Sequence, residues 1–364
     1  MSAIQSGLVT AFYLFDVAEA IDLKAVPRLL TAQTSAARLA PKPVTPSYVQ
    51  YQEPPPLLVD GDALGQADVD GFHVRIKLFE YGVVSLALSR PFRGSWTDLV
   101  GAGQQLLGGD ALENQARQLC DRLVAQLARA LDTRRVPLLT EDYVVFGVSA
   151  LDERLSADAL LARHGDDIAR LLSGERSLLA PQERDEVLRH RISYLVDDLV
   201  VPTWNAAFVY DTEAGTQAAL EIFEFANSQL LEFRHYDDLL DRELERIYDD
   251  VQRPRWSGVF GRRYMRAAND LHALFIDVNQ LTDRTENALK MVGDIYAARL
   301  YHLVASRLAL DRWKQSVAEK LKTLHDIYHF SVEQTQMARG HFLELTIIAI
   351  LVLELVLFFM GIMK

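Results

Sequence analysis

Leu8-Val-Thr-Ala-Phe-Tyr-Leu-Phe15 is the stretch that sets the fold, because its aromatic and β-branched residues predict a buried strand. A helical pattern, Ala18–Leu30, follows this strand. Phe72–Phe79 and Val83–Leu88 flank Glu80-Tyr-Gly82, which predicts a hairpin of two strands. The first strands of the domain are therefore separated by one helix.

A second helix and strand complete a recognisable order. Ser95 is a favourable N-cap for a helix over Trp96–Leu131, and the glycines of 101–109 mark a break in that helix. This glycine-containing segment lacks the lysine and the serine or threonine of a phosphate-binding loop. Asp142–Ser149 predicts the next strand. The order strand, helix, strand, strand, helix, strand predicts an α+β fold with a ferredoxin-like βαββαβ domain.

Further elements extend this predicted domain over residues 1–212. They are two helices, Ala157–Leu172 and Pro181–Arg189, and two strands, Ile192–Val201 and Ala206–Tyr210. Residues 41–70 form a proline-rich and then acidic insertion, since Pro41–Pro56 holds six of the twelve prolines.

Residues 213–340 have a different pattern, with apolar residues at helical spacing and no proline or glycine between Thr216 and Val251. A second helical run starts near Arg262 and shows approximate heptad spacing. The pattern predicts a long antiparallel helical arm or coiled coil. The apolar residues at this spacing are Leu220, Phe223, Leu230, Phe233, Leu240, Leu244, Ile247, Phe275, Val278, Leu289, Val292, Tyr296, Leu303, Leu310, Trp313, Val317, Leu324 and Ile327.

Residues 341–364 contain an apolar run from Phe342 to Met363. Its 22 residues would span ~33 Å as a helix, which matches a hydrocarbon core of about 30 Å. The run predicts a C-terminal transmembrane tail anchor, an inner-membrane location and a cytoplasmic N-terminal domain. Glu344 and Glu354 lie within it, and we predict that they mediate association of helices, either with a second copy or with a membrane protein. The alternative for Glu354 is a tolerated neutral acid.

Composition excludes several classes of protein. The chain has 364 residues, with 49% hydrophobic and 24% charged residues, so wholesale disorder is excluded. The net charge of −12 restricts any nucleic-acid contact to a local patch. Cys120 is the single cysteine, which excludes an intrachain disulfide.

One local patch of this kind lies at the predicted tip of the arm. Arginine and aromatic residues alternate there, and this combination suits contact with phosphate or docking of a protein. The alternative is a solvated turn between helices. The predicted partner-binding residues are Arg253, Arg255, Trp256, Arg262, Arg263 and Arg266.

Candidates for metal chemistry are weak. His325 and His329 lie at i and i+4, like the zinc motif H-E-x-x-H, with Glu333 one turn further. Asp197, Asp198 and Asp211 could bind a cation, although loop acids are more often solvated. We predict no cofactor, no metal and no catalytic residue, and we expect Trp204 to pack in the core.

Three blocks resemble the "required for meiotic nuclear division" (Rmd/Sif) family, which carries a domain of unknown function. They are Phe79-Glu-Tyr-Gly-Val-Val84, Arg191–Asp211, and the apolar run with glutamates at 344 and 354. The resemblance implies a bacterial relative of membrane proteins that anchor or support translation machinery. It implies no catalytic residues.

The resulting hypothesis is a non-enzymatic, membrane-anchored scaffold that recruits a cytoplasmic partner and forms homo-oligomers. The alternatives are an RNA- or ribosome-binding anchor, which would use the arginine cluster, and a membrane-bound metal-dependent hydrolase. The hydrolase would use the three aspartates or the two histidines named above.

Overall fold

The computed structural model describes residues 3–30, 34–36, 56–64, 68–252, 275–276, 278 and 295–359. The chain forms two compact units. The first unit comprises Met1–His235 and Thr282–Lys314, and the second comprises Tyr236–Leu281 and Gln315–Lys364. The predicted boundaries at residues 212 and 340 stay predictions.

The first unit is built on a mixed sheet. Its strands are β1 (Ile4–Ile21), β2 (Thr34–Ala36), β3 (Leu57–Asp60), β4 (Asp68–Val69), β5 (Phe72–Leu78), β6 (Val83–Gly94), β7 (Leu131–Leu151), β8 (Leu199–Pro202) and β9 (Ala206–Tyr210). The described strands form one nine-stranded sheet in the order β2-β3-β5-β6-β1-β7-β9-β8, with β4 paired to β5. The pair β7–β9 is parallel and the other pairs are antiparallel.

Helices connect and cover these strands. They are α1 (Val26–Leu29), α2 (Trp96–Leu107), α3 (Ala111–Gln126), α4 (Ala157–Ser173), α5 (Pro181–Arg189), α6 (Glu213–Gln252), α7 (Ile295–Arg307) and α8 (Leu310–Phe359). A short 3₁₀ turn covers Gly61–Leu64. The Ser95 cap is present, because its hydroxyl accepts from the Asp98 amide while the Asp98 carboxylate accepts from the Ser95 amide.

The ferredoxin-like prediction is wrong as a description of this domain. The sheet has nine strands instead of four, and helices pack on both of its faces. The predicted helix Ala18–Leu30 is largely absent, because β1 continues to Ile21 along β7. On its other edge the Val17 and Ile21 amides donate to the carbonyls of Gly82 and Glu80 in the β5–β6 turn. These bonds satisfy the backbone there and outweigh the helical pattern of the side chains.

The turn between β5 and β6 requires glycine at one position. Gly82 has a φ of +90°, and a Cβ at this position would lie 1.7 Å from the carbonyl oxygen of Ala18. This close approach brings the Gly82 carbonyl to the Val17 amide, which donates a hydrogen bond of 3.0 Å. The turn is thereby attached to the central strand.

The two faces of the sheet are covered by different helices. We call the face towards α2–α5 the apolar face, because a continuous cluster of buried hydrophobic side chains fills it. Along β1 the odd positions from Val9 to Val17 belong to this cluster, as the two-residue period of a strand requires. The even positions, including Phe12 and Asp16, point towards α6, and we call this the α6 face.

In the second unit, α6 and α8 are paired by polar contacts. The Asp237 carboxylate lies 2.7 Å from the Ser316 hydroxyl and 2.8 Å from Lys320 Nζ, and Asp241 lies 2.7 Å from the same amine. The contacts therefore advance in the same direction along both helices. The predicted antiparallel arrangement is therefore wrong for α6 and α8, whereas residues 279–294 of the predicted second helix lie outside the described residues.

The predicted long second helix is interrupted before this pair. It is divided at Leu308–Ala309, where Ala309 has a φ of +54°. Of the apolar positions at helical spacing, Phe275 is exposed and Leu244, Leu303 and Trp313 are half-buried. The buried ones are Leu220, Phe223, Leu230, Phe233, Leu240, Val278, Leu310, Val317 and Leu324.

The predicted transmembrane segment at 341–364 is contradicted. Across the described residues, no helix combines the length and the apolar character that crossing a bilayer demands. The predicted tail anchor and inner-membrane location are corrected accordingly.

Candidate functional site

A layer of ionisable side chains lies between the α6 face of the sheet and the first half of α6. We call it the ionic layer. Its members are Asp16, Lys77, Arg135, Glu141, Glu224, Glu232, Arg234 and His235. Strands and helix contribute four groups each, and opposite charges face one another in the pairs that Lys77, Arg135 and Arg234 form with carboxylates.

Arg135 is the centre of the ionic layer. Its guanidinium pairs with the Asp16 carboxylate and donates to Glu232 Oε1 at 3.1 Å. His235 Nδ1 lies 2.8 Å from the second oxygen of Asp16. Both carboxylates are almost completely buried, so their charges depend on these partners instead of on water.

Two further contacts lie along the same side of α6. Lys77 of β5 pairs with the buried Glu224 carboxylate, and the Tyr81 and Ser228 hydroxyls lie 2.7 Å apart. Residues 224, 228 and 232 are spaced by four, so one stripe of α6 carries polar groups into the protein. Leu220, Phe223 and Phe233 bury apolar surface beside that stripe.

The outer end of the ionic layer is formed by Glu141 and Arg234, which form an ion pair. Burial raises the pKa of Glu141, and the Arg234 charge and hydrogen bond oppose that rise. The ion pairs of the layer link β1, β5 and β7 to α6 and thereby fix how α6 lies on the sheet. Such pairs suit positional specificity better than acid–base chemistry, which needs access to a substrate.

The residues predicted for partner binding at the arm tip lie outside the described residues. They are Arg253, Arg255, Trp256, Arg262, Arg263 and Arg266. Glu344 and Glu354 both belong to α8, and Glu354 is exposed. The proposed association roles of these residues stay predictions.

The three candidate metal-binding aspartates have other partners. Asp198 is buried and accepts two backbone amides, Asp197 pairs with Arg154, and Asp211 accepts the Thr212 amide. His325 is exposed on α8, and His329 and Glu333 lie where side chains are not described. In the described part of the chain, no three His, Cys, Asp or Glu side chains are grouped as metal ligands would be.

Cys120 is fully buried in α3, and burial raises the pKa of its thiol well above the usual range. A thiol in this environment is a poor nucleophile.

Trp204 is not the core residue that the sequence suggested. Its side chain is 70% exposed at the turn between β8 and β9, and the Thr203 and Ala206 carbonyls of this turn accept hydrogen bonds from the Tyr143 hydroxyl.

A short loop before β8 exposes three consecutive large apolar side chains. Tyr194, Leu195 and Val196 are 60%, 61% and 77% exposed. We call Tyr194–Val196 the apolar loop. Single exposed apolar residues are ordinary on a protein surface, whereas adjacent ones commonly mark a contact with another molecule.

The apolar loop is held in place from several sides. The Asp198 carboxylate accepts the amides of Tyr194 and Leu195, both at 2.7 Å. The Ala157 amide at the start of α4 donates to the Val196 carbonyl at 2.8 Å. Beyond the loop, Ile192 and Val200 exchange two backbone hydrogen bonds of 2.9 Å. These bonds fix the backbone while the side chains stay exposed.

Aromatic and ionic contacts support the same loop. The Tyr194 ring lies 5.3 Å from the ring of Tyr296 on α7. Arg154 donates from Nε to Asp197 at 2.8 Å, and this hydrogen bond lowers the pKa of Asp197. Because Arg154 is largely exposed, this ion pair contributes little stability. Its effect is to orient the residue that follows Val196.

A second exposed apolar surface lies on α8. Between Thr346 and Glu354 six large apolar side chains are each more than half exposed. They are Ile347, Ile348, Ile350, Leu351, Val352 and Leu353. Because consecutive helical residues are turned by 100°, these side chains point in every direction around the helix. We call Thr346–Glu354 the apolar segment of α8.

The chain matches the family described as "Uncharacterized protein MJ0711, N-terminal domain" over residues 6–218. It is similar to the uncharacterized protein MJ0711 of Methanocaldococcus jannaschii, with 24% identity over 217 residues. This similarity covers 60% of the chain and 65% of the archaeal protein. No solved structure matches. The match replaces the resemblance to the Rmd/Sif family, which these comparisons contradict.

Proposed function

The chain belongs to the family of the MJ0711 N-terminal domain, and we propose that it acts as a non-enzymatic scaffold that binds a partner protein. The apolar loop Tyr194–Val196 is the docking site in this proposal. The observation that carries it is the combination of high side-chain exposure with a backbone held by a buried carboxylate.

Exposure of three adjacent apolar side chains is unfavourable in water. Burying one such side chain contributes about 1.5–3 kcal/mol, so a partner that covers all three gains substantial binding free energy. A tyrosine at one end adds a large contact surface and a hydroxyl that can hydrogen-bond at the edge of an interface. The loop therefore has the composition of an interface centre.

Rigidity makes this surface suitable for specific binding. A flexible loop loses conformational entropy when it docks, at about 0.5–1.5 kcal/mol for each immobilised side chain. In the apolar loop, Asp198 and the Ala157 amide already hold the backbone before any partner arrives. Most of the ordering is thereby complete in the free protein.

The test uses photo-crosslinking in cells that naturally make the protein. A benzoylphenylalanine side chain replaces Leu195 in one strain and Leu178, which is also strongly exposed but lies before α5, in a control strain. We expect one discrete adduct from position 195 and none of the same mass from position 178. Adducts of the same pattern at both positions, or none at either, would contradict the proposal.

A second variant separates docking from proximity. Val196→Asp places a charge in the proposed contact without removing any of the backbone bonds that hold the loop. We expect it to abolish the adduct from position 195 and to weaken binding of the purified partner at least tenfold by calorimetry. Unchanged affinity would show that the loop lies near a partner without binding it.

The alternative of RNA or ribosome binding rests on arginines outside the described residues and stays a prediction. Its measurable consequence is strongly salt-dependent binding that weakens when Arg255, Arg262 and Arg263 become alanine.

A further inference from the structure

We propose that the partner of the apolar loop is a protein segment with an acidic side chain next to its apolar contact, and that Arg154 binds this carboxylate. The inference rests on the proposed function, because it concerns the same surface and names the chemistry of the segment that fits it. It assigns a binding role to a side chain that the docking proposal does not use.

Arg154 lies directly beside the apolar loop. Its guanidinium donates from Nε to the Asp197 carboxylate at 2.8 Å, and Asp197 is the residue that follows Val196. Nη2 donates to the same carboxylate oxygen. The ion pair therefore places a cation at one end of the run of exposed apolar side chains.

The outward charge of this ion pair is positive. The Arg154 side chain is 84% exposed, whereas that of Asp197 is 29% exposed. A molecule that approaches the loop therefore meets the guanidinium before it meets the carboxylate. The neighbouring acid Asp198 is buried, and its oxygens accept the amides of Tyr194 and Leu195. The charge that complements this end of the loop is therefore negative.

The outer side of the guanidinium has the geometry of a carboxylate site. A guanidinium carries five N–H groups in a planar fork. The groups on Nε and Nη2 that donate to Asp197 form its side-on edge. This contact leaves the end-on edge, with one N–H on each terminal nitrogen, for a second acceptor. A carboxylate accepts such a pair through both of its oxygens, so an acidic side chain matches what Arg154 offers.

Arg154 is also held in position before any partner arrives. The hydroxyl of the buried Tyr210 donates to the Leu155 carbonyl at 3.1 Å and accepts from the Leu155 amide at 3.4 Å, which fixes the chain next to Arg154. Asp197 fixes the guanidinium itself. A long side chain loses rotamer freedom when it binds, and part of that loss has already occurred in the free protein.

The test is selection of peptides from a random display library on the full-length protein. We expect the enriched sequences to combine large apolar residues with an Asp or Glu at a fixed spacing. Selection on Val196→Asp should lose these sequences altogether. Selection on Arg154→Gln should retain the apolar residues and lose the preference for an acid. The Arg154→Gln variant should fold normally, because an exposed ion pair contributes little stability.

A double-mutant cycle measures the contact itself. One selected peptide, and its variant with the acid changed to the corresponding amide, are titrated into wild type and into Arg154→Gln by calorimetry. Loss of the acid should weaken binding to wild type by about tenfold or more, and binding to Arg154→Gln by less than about twofold. Arg154→Lys keeps the charge without the planar fork and should give an intermediate loss.

Arg163→Gln is the matched control, because Arg163 is also exposed and pairs with a carboxylate, that of Glu153. It should leave the affinity for the acidic peptide unchanged. Peptides that depend on Val196 but show no preference for an acid would overturn this inference and leave the docking proposal intact. Equal losses in Arg154→Gln and Arg163→Gln would do the same. Failure to enrich any peptide that depends on Val196 would overturn both.

Discussion

The two faces of the sheet are both buried, yet different forces hold their helices. On the apolar face, side chains such as Phe15, Phe146 and Phe208 pack in one continuous hydrophobic cluster. On the α6 face, apolar packing is interrupted by the ionic layer, in which Arg135 pairs with Asp16 and Glu232. Adjacent residues of one strand therefore point alternately into an apolar cluster on one face and into an ionic layer on the other.

This difference separates stability from specificity. Apolar burial contributes free energy roughly in proportion to area and tolerates several packings of similar volume. A buried ion pair contributes little net stability, because desolvation offsets much of the attraction, but a misplaced partner leaves an uncompensated charge. The apolar face should therefore dominate the stability of the first unit. The ionic layer should dominate the position of α6.

The largest expected effect is on the apolar face. Phe146→Ala removes a fully buried ring from the centre of the cluster and should lower the free energy of unfolding by about 3–5 kcal/mol. Chemical denaturation measures this, with Leu178→Ala as an exposed control that should change stability by no more than about 0.5 kcal/mol. A loss below about 1 kcal/mol would show that the cluster repacks.

A double-mutant cycle on the α6 face tests the ionic layer. Glu224→Leu alone leaves the buried Lys77 amine without its partner and should cost about 3 kcal/mol. Lys77→Met with Glu224→Leu replaces both charges by apolar groups and should return stability to near that of wild type. If the losses of stability measured for Glu224→Leu alone and for Lys77→Met alone simply add in the double variant, the pair is not a coupled unit.

The smallest effect compares two acids whose pKa values are shifted in opposite directions, Asp142 on β7 and Asp98 at the start of α2. Asp142 is directly opposite Tyr13, on the apolar face, and burial, followed by the Glu113 charge, raises its pKa. The folded state therefore holds this proton more tightly, and stability falls as pH rises from the unfolded value near ~3.9 through the higher folded value. The Asp142→Asn variant has no carboxyl group at this position, so this fall in stability with rising pH is absent from it.

We expect Asp142→Asn to have a slightly higher Tm than wild type at pH 7, and the difference should vanish below about pH 3, where both states are protonated. Asp98→Asn is the control of opposite sign, because the hydrogen bonds from the Ser95 hydroxyl and amide lower the pKa of the Asp98 carboxyl, so its contribution to stability is present above the unfolded pKa. It should lower Tm at pH 7 instead. Thermal unfolding of both variants from pH 3 to 7 would measure the contrast, and equal shifts would contradict it.

Local signals predicted many elements well. The bounds of α5 (Pro181–Arg189) and β9 (Ala206–Tyr210) agree with the prediction, and the helix break near Gly108 and the Ser95 cap are present. Each of these depends on residues within one or two turns of chain. Such signals act through local backbone conformation, so they operate before any tertiary contact forms.

The ionic layer was not predicted, although one signal pointed to it. Asp16 interrupts an otherwise apolar strand, and Glu224, Ser228 and Glu232 repeat every four residues along α6. A polar stripe on a helix normally faces water, so periodicity alone assigns it to the surface. Its burial depends on cations supplied by β5 and β7, which are distant in sequence.

The amino-acid sequence by itself determined the mixed α+β class, most of the turns and caps, and the apolar periodicity that selects one side of each helix. Tertiary structure alone decided that β1 extends past Ala18, that α6 and α8 run in the same direction, and that the apolar loop is exposed. The physical reason is the separation along the chain between the groups that interact. Hydrogen bonds and rotamers within a few residues are encoded locally, whereas strand pairing, charge compensation and exposure depend on which distant groups arrive beside them.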